Sequence, residues 1–189
     1  MKTPPNDELL TLRREVERLR AREEIRTLIY GYARALDRLD RALLPSLFWP
    51  DAEVDYGAFY RGPVGGFIEV AMGFQGSMRD TQHLVGNVMI ELDEGTARSE
   101  SYVQAHHTIV QGDDTVQLLV GARYLDRFER RDACWRISYR TEVMDWGRWL
   151  PVPERWFESS SELPKGRRNL EDLSYRHMQR PTPPDTRSI

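Results

Sequence analysis

An α+β fold with a strongly curved, mostly antiparallel sheet wrapped around N-terminal helices is expected from three features of this 189-residue chain. Helical spacing of apolar residues dominates its first part, period-two alternation dominates its second, and hairpin turns join the long strands. The piece that organises the rest is Glu23 to Asp37, where Ile25, Leu28, Ile29, Tyr32 and Leu36 recur at three- and four-residue steps and so share one helix face. Tyr32 carries a phenol into that core face. Asp37 follows at about 140° around the wheel, on the flank of the stripe.

The elements follow in order. Residues 1–6 are polar, contain two prolines, and are expected to be loose and flexible. From Asp7 the chain reads as helix, with Asn6 or Asp7 as N-cap. Leu9, Leu12, Val16 and Leu19 form a stripe too short for a coiled coil, suited to lie on the same domain or on a neighbouring subunit. The main helix follows without a breaker, and a short helix, Asp40 to Phe48, is expected to end at Trp49-Pro50. An extended segment from Asp51 runs through Ala58-Phe59-Tyr60 to a turn at Arg61-Gly62-Pro63, then Phe67 to Phe74 reads as helix, broken at Ser77 to Asp80. His83, Val85, Asn87 and Met89 alternate with Leu84, Gly86, Val88 and Ile90, a strand with both faces covered.

In the next strand, Ala97 to Val110, the residues Val103, Ala105, His107 and Ile109 share an apolar face opposite Arg98, Glu100, Gln104 and His106. Thr115 to Phe128 is a further strand, and Glu129-Arg-Arg-Asp-Ala turns the chain into Cys134 to Trp146. The domain is therefore expected over residues 7–150. A C-terminal extension, 151–189, holds one helical candidate at Leu170 to Met178 and a Pro-rich, flexible end, PTPPDTRSI.

Composition excludes several classes of function. A net charge of −3 and a pI near 5.9 leave no footprint for nucleic acid, and the basic cluster Lys165-Gly166-Arg167-Arg168 reads as solvated. A single cysteine, Cys134, fits a reducing compartment. No secretory leader and no apolar run long enough to span a membrane is present, so a cytoplasmic location is the expectation.

Chemistry narrows by elimination. Of four histidines, His106 and His107 are adjacent and point to opposite faces of one strand, and no His-x-His, His-Glu-x-x-His or cysteine pair occurs, so no metal site is expected. No nucleophile motif surrounds Cys134 and no glycine loop has the spacing of a phosphate cradle. Acid–base chemistry by Asp37, His83, tyrosines and an arginine remains. A histidine opening a strand is more often structural, as is a core tyrosine. Val85 and Asn87 beside His83 suggest a half-polar concave surface. Tyr56, Phe59, Tyr60, Trp146, Trp149 and Trp156 would suit a flat apolar substrate.

The order Tyr32…Asp37, the strand start Thr81-Gln82-His83 and the terminal hairpin Phe128-Glu-Arg-Arg-Asp-Ala-Cys-Trp-Arg-Ile-Ser-Tyr-Arg140 resemble the SnoaL-like branch of the nuclear transport factor 2 superfamily. Its nearest patterns are those of scytalone dehydratase, hexachlorocyclohexane dehydrochlorinase and bile acid dehydratase, over roughly residues 10–150. The resemblance implies a cone-shaped α+β barrel in which Asp37 orients His83 as the base. It implies oxygen-facing roles for Tyr32 and Arg140. A second tyrosine falls at Tyr56 and a second histidine near His107, and with Asn87 and Trp146 these are the expected substrate contacts. Leu36 departs from scytalone dehydratase, which has a tyrosine there, so that substrate does not carry over.

A carboxylate on one imidazole nitrogen fixes the tautomer and stabilises the cation formed when the other nitrogen accepts a proton. The expectation is thus a cofactor-independent lyase that eliminates water or another small leaving group, formaldehyde included, from a hydroxylated aromatic or polycyclic small molecule. A double-bond isomerase or cyclase, and a non-catalytic binding or assembly module, are the alternatives. Apolar residues on both faces of Thr115 to Phe128, together with the trimeric lyases it resembles, lead to an expected homo-oligomer, a trimer before a dimer.

Overall fold

The computed structural model describes residues 6–112, 114–152 and 162–178. Helix α1 (Asn6–Arg38) is one continuous helix. Asn6, placed by the sequence in the loose N-terminus, already belongs to it. Residues 1–5, Trp156 and the Pro-rich end lie outside the described residues. The C-terminal half of α1 is the part that folds the domain. Ile25, Ile29, Tyr32 and Leu36 are buried there, each worth roughly 1.5–3 kcal/mol for its side chain. The stripe Leu9, Leu12, Val16 and Leu19 stays exposed on this chain.

Leu39, in the left-handed region at φ 50°, ends the helix. The Asp40 carboxylate then accepts from the backbone N–H groups of Ala42 and Leu43 (3.1 and 2.9 Å) and starts a single turn, α2 (Leu43–Ser46). The expected helix Asp40 to Phe48 is cut short because Phe48 pairs with Ile137, opening β1 (Phe48–Asp55). Pro50 is tolerated in β1 because the register with its neighbour is irregular between Phe48 and Glu53, where no regular ladder bond is demanded. The run expected to stay extended through Tyr60 instead reverses. Tyr56 N–H donates to Tyr60 O (2.8 Å) and Gly57 takes φ 60°, which makes Arg61-Gly62-Pro63 a strand, β2 (Arg61–Pro63), rather than a turn.

Helix α3 (Val64–Gly76) leads to β3 (Asp80–Leu92), β4 (Thr96–Gln111), β5 (Asp114–Arg131) and β6 (Cys134–Pro151). The six-stranded sheet has the order β2-β1-β6-β5-β4-β3 and is antiparallel except between β1 and β6. Asp132 and Ala133, at φ 48° and 64°, form the tight β5–β6 turn. The inner face of the sheet, with Val103, Ala105, Val120, Ala122, Tyr124 and Ile137, closes the core with α1 and α3. The outer face is not covered as expected: Leu84, Met89, Tyr102 and Trp146 are exposed on this chain. Among the described residues, no helix is long and apolar enough to cross a membrane.

Three β-bulges interrupt the alternation of β3 to β6, one of them in β6 at Ser138, opposite the Arg127–Phe128 step. Of the others, one adds a residue to β3 between Val85 and Val88, and one adds a residue to β6 opposite the Gly121–Ala122 step. The C-terminal part folds back on α1. Tyr175 donates to Asp40 (2.8 Å), α4 (Leu173–His177) is shorter than the candidate Leu170 to Met178, and Arg168, expected to be solvated, is half-buried. Its guanidinium donates to the backbone carbonyls of Met78, Gln75 and Asp37 at 2.6, 2.8 and 3.4 Å.

Candidate active site

Asp37 leaves the last turn of α1 facing the start of β3, where Thr81 and His83, two residues apart, share one face. The carboxylate is used on both oxygens. One accepts from the backbone N–H of His83 (2.9 Å), and the other accepts from Thr81 Oγ1 (3.2 Å) and meets His83 Nδ1 at 2.7 Å. The side chains are 4% (His83) and 12% (Asp37) exposed. A carboxylate offers only lone pairs, so Nδ1 carries the ring proton and Nε2 is left as a proton acceptor.

His83 lines a cavity of about 280 Å³ with a largely apolar wall, including Leu36, Phe59, Phe67, Phe74, Leu118 and Val120. Besides His83, its polar lining is Tyr32 from α1, Tyr56 after β1, Gln75 from α3, His107 from β4, Tyr124 from β5 and Glu142 from β6, and the buried Gln75 Oε1 has no hydrogen-bond partner among the described residues. Tyr32 and Tyr56 share a hydrogen bond of 2.8 Å. Burial pushes the Tyr32 phenol up to about 12, with Arg140 drawing it back, and pushes Tyr56 and Tyr124 well above the ordinary phenol range. All three stay neutral donors at physiological pH.

Of the residues expected from the sequence, the structure brings Asp37, His83, Tyr32, Tyr56 and His107 together. Arg140 stands behind the cavity wall. It is fully buried, bound bidentately to Asp126 at 2.6 and 2.8 Å, with its guanidinium 3.9 and 4.3 Å from the ring centres of Tyr32 and Tyr124. Any effect it has on a ligand is transmitted through those rings. Asn87 and Trp146 are not in the site; both line an outer groove with Leu84, Tyr102 and Asp145. The bulges beside them, in β3 between Val85 and Val88 and in β6 opposite Gly121–Ala122, are the reason, because each inserts one residue and turns the side chains beyond it to the other face. Trp146 lies flat on Gly121, where a Cβ would meet its indole at 2.2 Å.

His107 is buried with its ring centre 5.3 Å from that of His83, its Nδ1 has no hydrogen-bond partner, and burial, aided by His83, pushes its pKa down to about 4. Sequence reasoning missed Tyr124 and Glu142. The signal was present, since Glu142 stands two residues beyond Arg140 in one strand and directly opposite Tyr124 in the ladder. Burial pushes the Glu142 carboxyl up, with His83 and Arg140 opposing. Among the described residues, no three His, Cys, Asp or Glu side chains are grouped so as to hold a metal ion.

Residues 17–141 match the SnoaL-like domain, a span that includes Tyr32, Asp37, Tyr56, His83, His107 and Arg140. The chain belongs to the SnoaL-like domain family. An uncharacterised protein of Mycobacterium tuberculosis is 30% identical over 125 residues, 65% of this chain and 84% of the relative. Hexachlorocyclohexane dehydrochlorinase 1 of Sphingobium indicum is 26% identical over 136 residues, 70% of this chain and 86% of that one. A crystal structure of a type 2 hexachlorocyclohexane dehydrochlorinase superposes with a TM-score of 0.65 at 24% identity, covering 79% of this chain and 99% of that one. A candidate scytalone dehydratase from Novosphingobium aromaticivorans gives 0.63 at 22% identity, over 72% and 91% of the two chains. The fold of this SnoaL-like chain is thus the cone-shaped α+β fold of the nuclear transport factor 2-like proteins.

Proposed function

We propose that this SnoaL-like protein is a cofactor-independent lyase in which Asp37 and His83 act as one general base. The substrate is a hydroxylated aromatic compound that loses water or another small leaving group, formaldehyde among them. The observation that carries this reading is the fully used Asp37 carboxylate, which holds the ring by Nδ1 and leaves Nε2 free on an apolar cavity. A pocket that only binds has no need of such an oriented base. The curated relative named a dehydrochlorinase is by its name an elimination enzyme, which supports the same class. The cavity lies near the low end of ligand sites, which run from about 300 to 1,000 Å³, and favours one or two rings over a larger polycycle. The neutral pair Tyr32–Tyr56 would donate to a substrate oxygen as charge develops there. That same pair suits a double-bond isomerase, and the products separate the two readings: an isomerase returns its substrate's full atom count, a lyase does not.

Turnover of a panel of hydroxylated aryl ketones by wild type and His83→Ala is the test. General-base action is worth about 10²–10⁴ in rate, so His83→Ala should lose a factor of that order. Undiminished turnover would remove the base and with it the lyase reading. The exposed outer-face residues Leu84, Tyr102, Trp146 and Trp149 support a homo-oligomer, a trimer before a dimer. Light scattering at micromolar concentration should show a multiple of the chain mass, and a monomer would contradict it.

A further inference from the structure

We propose that Glu142 is the acid of this reaction, handing a proton to the departing oxygen while His83 takes one from carbon. The proposal rests on the lyase reading and adds the half of the chemistry which a base leaves undone. Expelling hydroxide from carbon without protonating it is slow, so an eliminating site needs a donor as well as an acceptor.

The cavity lining supplies few donors that can give a proton away. Tyr32, raised to about 12, and Tyr56 and Tyr124, raised well above the ordinary phenol range, hydrogen-bond to an oxygen but are weaker acids than a carboxyl and give less driving force for proton transfer at neutral pH. His107, at about 4, is unprotonated there. Glu142 differs from all of these. It reaches the cavity from the inner face of β6, opposite Tyr124, and its carboxyl makes no hydrogen bond or ion pair with the described residues. The groups facing it are His83 from β3, His107 from β4, Tyr124 from β5, Tyr32 from α1, Tyr56 beyond β1, and Arg140 on its own strand. Burial among aromatic rings favours the neutral acid, which has an O–H to donate.

The step balances. The C–H bond breaks, its proton goes to His83 Nε2 and its electron pair forms the new carbon–carbon double bond. The C–O bond breaks with its pair on oxygen, which takes the Glu142 proton and leaves as water. Imidazolium and carboxylate remain, and one proton passing from the first to the second through the released water resets the site.

Glu142→Gln keeps the size and polarity of the side chain and removes the transferable proton. At pH near 6, where ordinary glutamates with pKa about 4.3 are ionised, infrared spectra of the unliganded protein should show a protonated carboxyl band that Glu142→Gln abolishes. A spectrum without that band, or with the band unchanged in the variant, overturns the proposal whether or not a substrate is turned over. A β-hydroxy aryl ketone and its β-(nitrophenoxy) analogue give the kinetic test, because nitrophenoxide departs without a proton. Glu142→Gln should lower dehydration of the first by about 10²–10⁴ and elimination from the second by at least an order of magnitude less. Equal losses on both make Glu142 a structural residue and overturn the proposal while the base stands. His83→Ala should lower both, and if it lowers neither, the dyad reading has failed instead.

Discussion

Two carboxylates in this fold hold a basic side chain at nearly the same distance. Asp37 meets His83 Nδ1 at 2.7 Å, and Asp126 meets Arg140 at 2.6 and 2.8 Å. Both pairs sit against Tyr32, one across the cavity and one behind the ring. What separates them is the atom left over. Asp126 and Arg140 are wholly enclosed; Arg140 Nη1 has no hydrogen-bond partner among the described residues, but it is a donor buried beneath Tyr32 and Tyr124 and does not line the cavity, so the pair fixes the wall. His83 keeps Nε2 open on the cavity. Closeness of opposite charges therefore does not mark chemistry; an unspent acceptor facing enclosed space does.

The largest effect should come from taking the first pair apart. Asp37→Asn and His83→Ala should each cost orders of magnitude in kcat/KM on any substrate found, and the double variant should cost scarcely more than either, because the two residues act as a unit. Simple additivity in that cycle would show two independent side chains. The second pair should respond in stability instead. Asp126→Ala leaves a buried guanidinium without its partner and should destabilise the fold by about 3–5 kcal/mol in urea unfolding. Replacing both Asp126 and Arg140 by apolar residues of similar volume should recover much of that loss, since the double change removes the stranded charge. If Asp126→Ala leaves stability intact but abolishes turnover, the assignment of the two pairs is reversed.

The contrast also explains what was legible in the sequence. The α1 stripe and the β4 face carrying His107 follow from regular periods, three- and four-residue steps in a helix and two-residue steps in a strand, whereas the Asp37–His83 pairing was legible only through the family resemblance. Asn87 and Trp146 were misplaced at two of the positions where the period breaks, because a bulge of one residue leaves no local composition signal and still inverts the face of all that follows. Asp40 to Phe48 was misjudged because strand pairing with Ile137 overrode a helical pattern. Arg168 lay in a polar segment that looked solvated, and only the return of that segment onto α1 shows its three carbonyl partners. Glu142 was hidden by its chemistry. A glutamate in a strand reads as surface until the tyrosine opposite it is known to be inside.

The smallest expected effect concerns the two neighbouring histidines, whose rings lie 5.3 Å apart but only one of which has a carboxylate. His107 is lowered in the fold from an ordinary 6.5 to about 4, so the unfolded chain binds its proton first as the pH falls. The corresponding stability is fully present above pH 6.5 and drains away as the pH descends toward about 4, below which both states are protonated. At about 1.36 kcal/mol per pH unit, the loss is at most about 3.4 kcal/mol, and less if the neighbouring rings relax. Urea unfolding between pH 7.5 and 4.5 should therefore show a steeper acid-side decline for wild type than for His107→Phe, which has no proton to gain. The variant's absolute stability does not decide the matter, since the larger ring changes packing; the difference in slope does. Parallel slopes would mean that His107 is no more shielded than an ordinary surface histidine, and that the cavity beside His83 is wetter than its apolar lining implies.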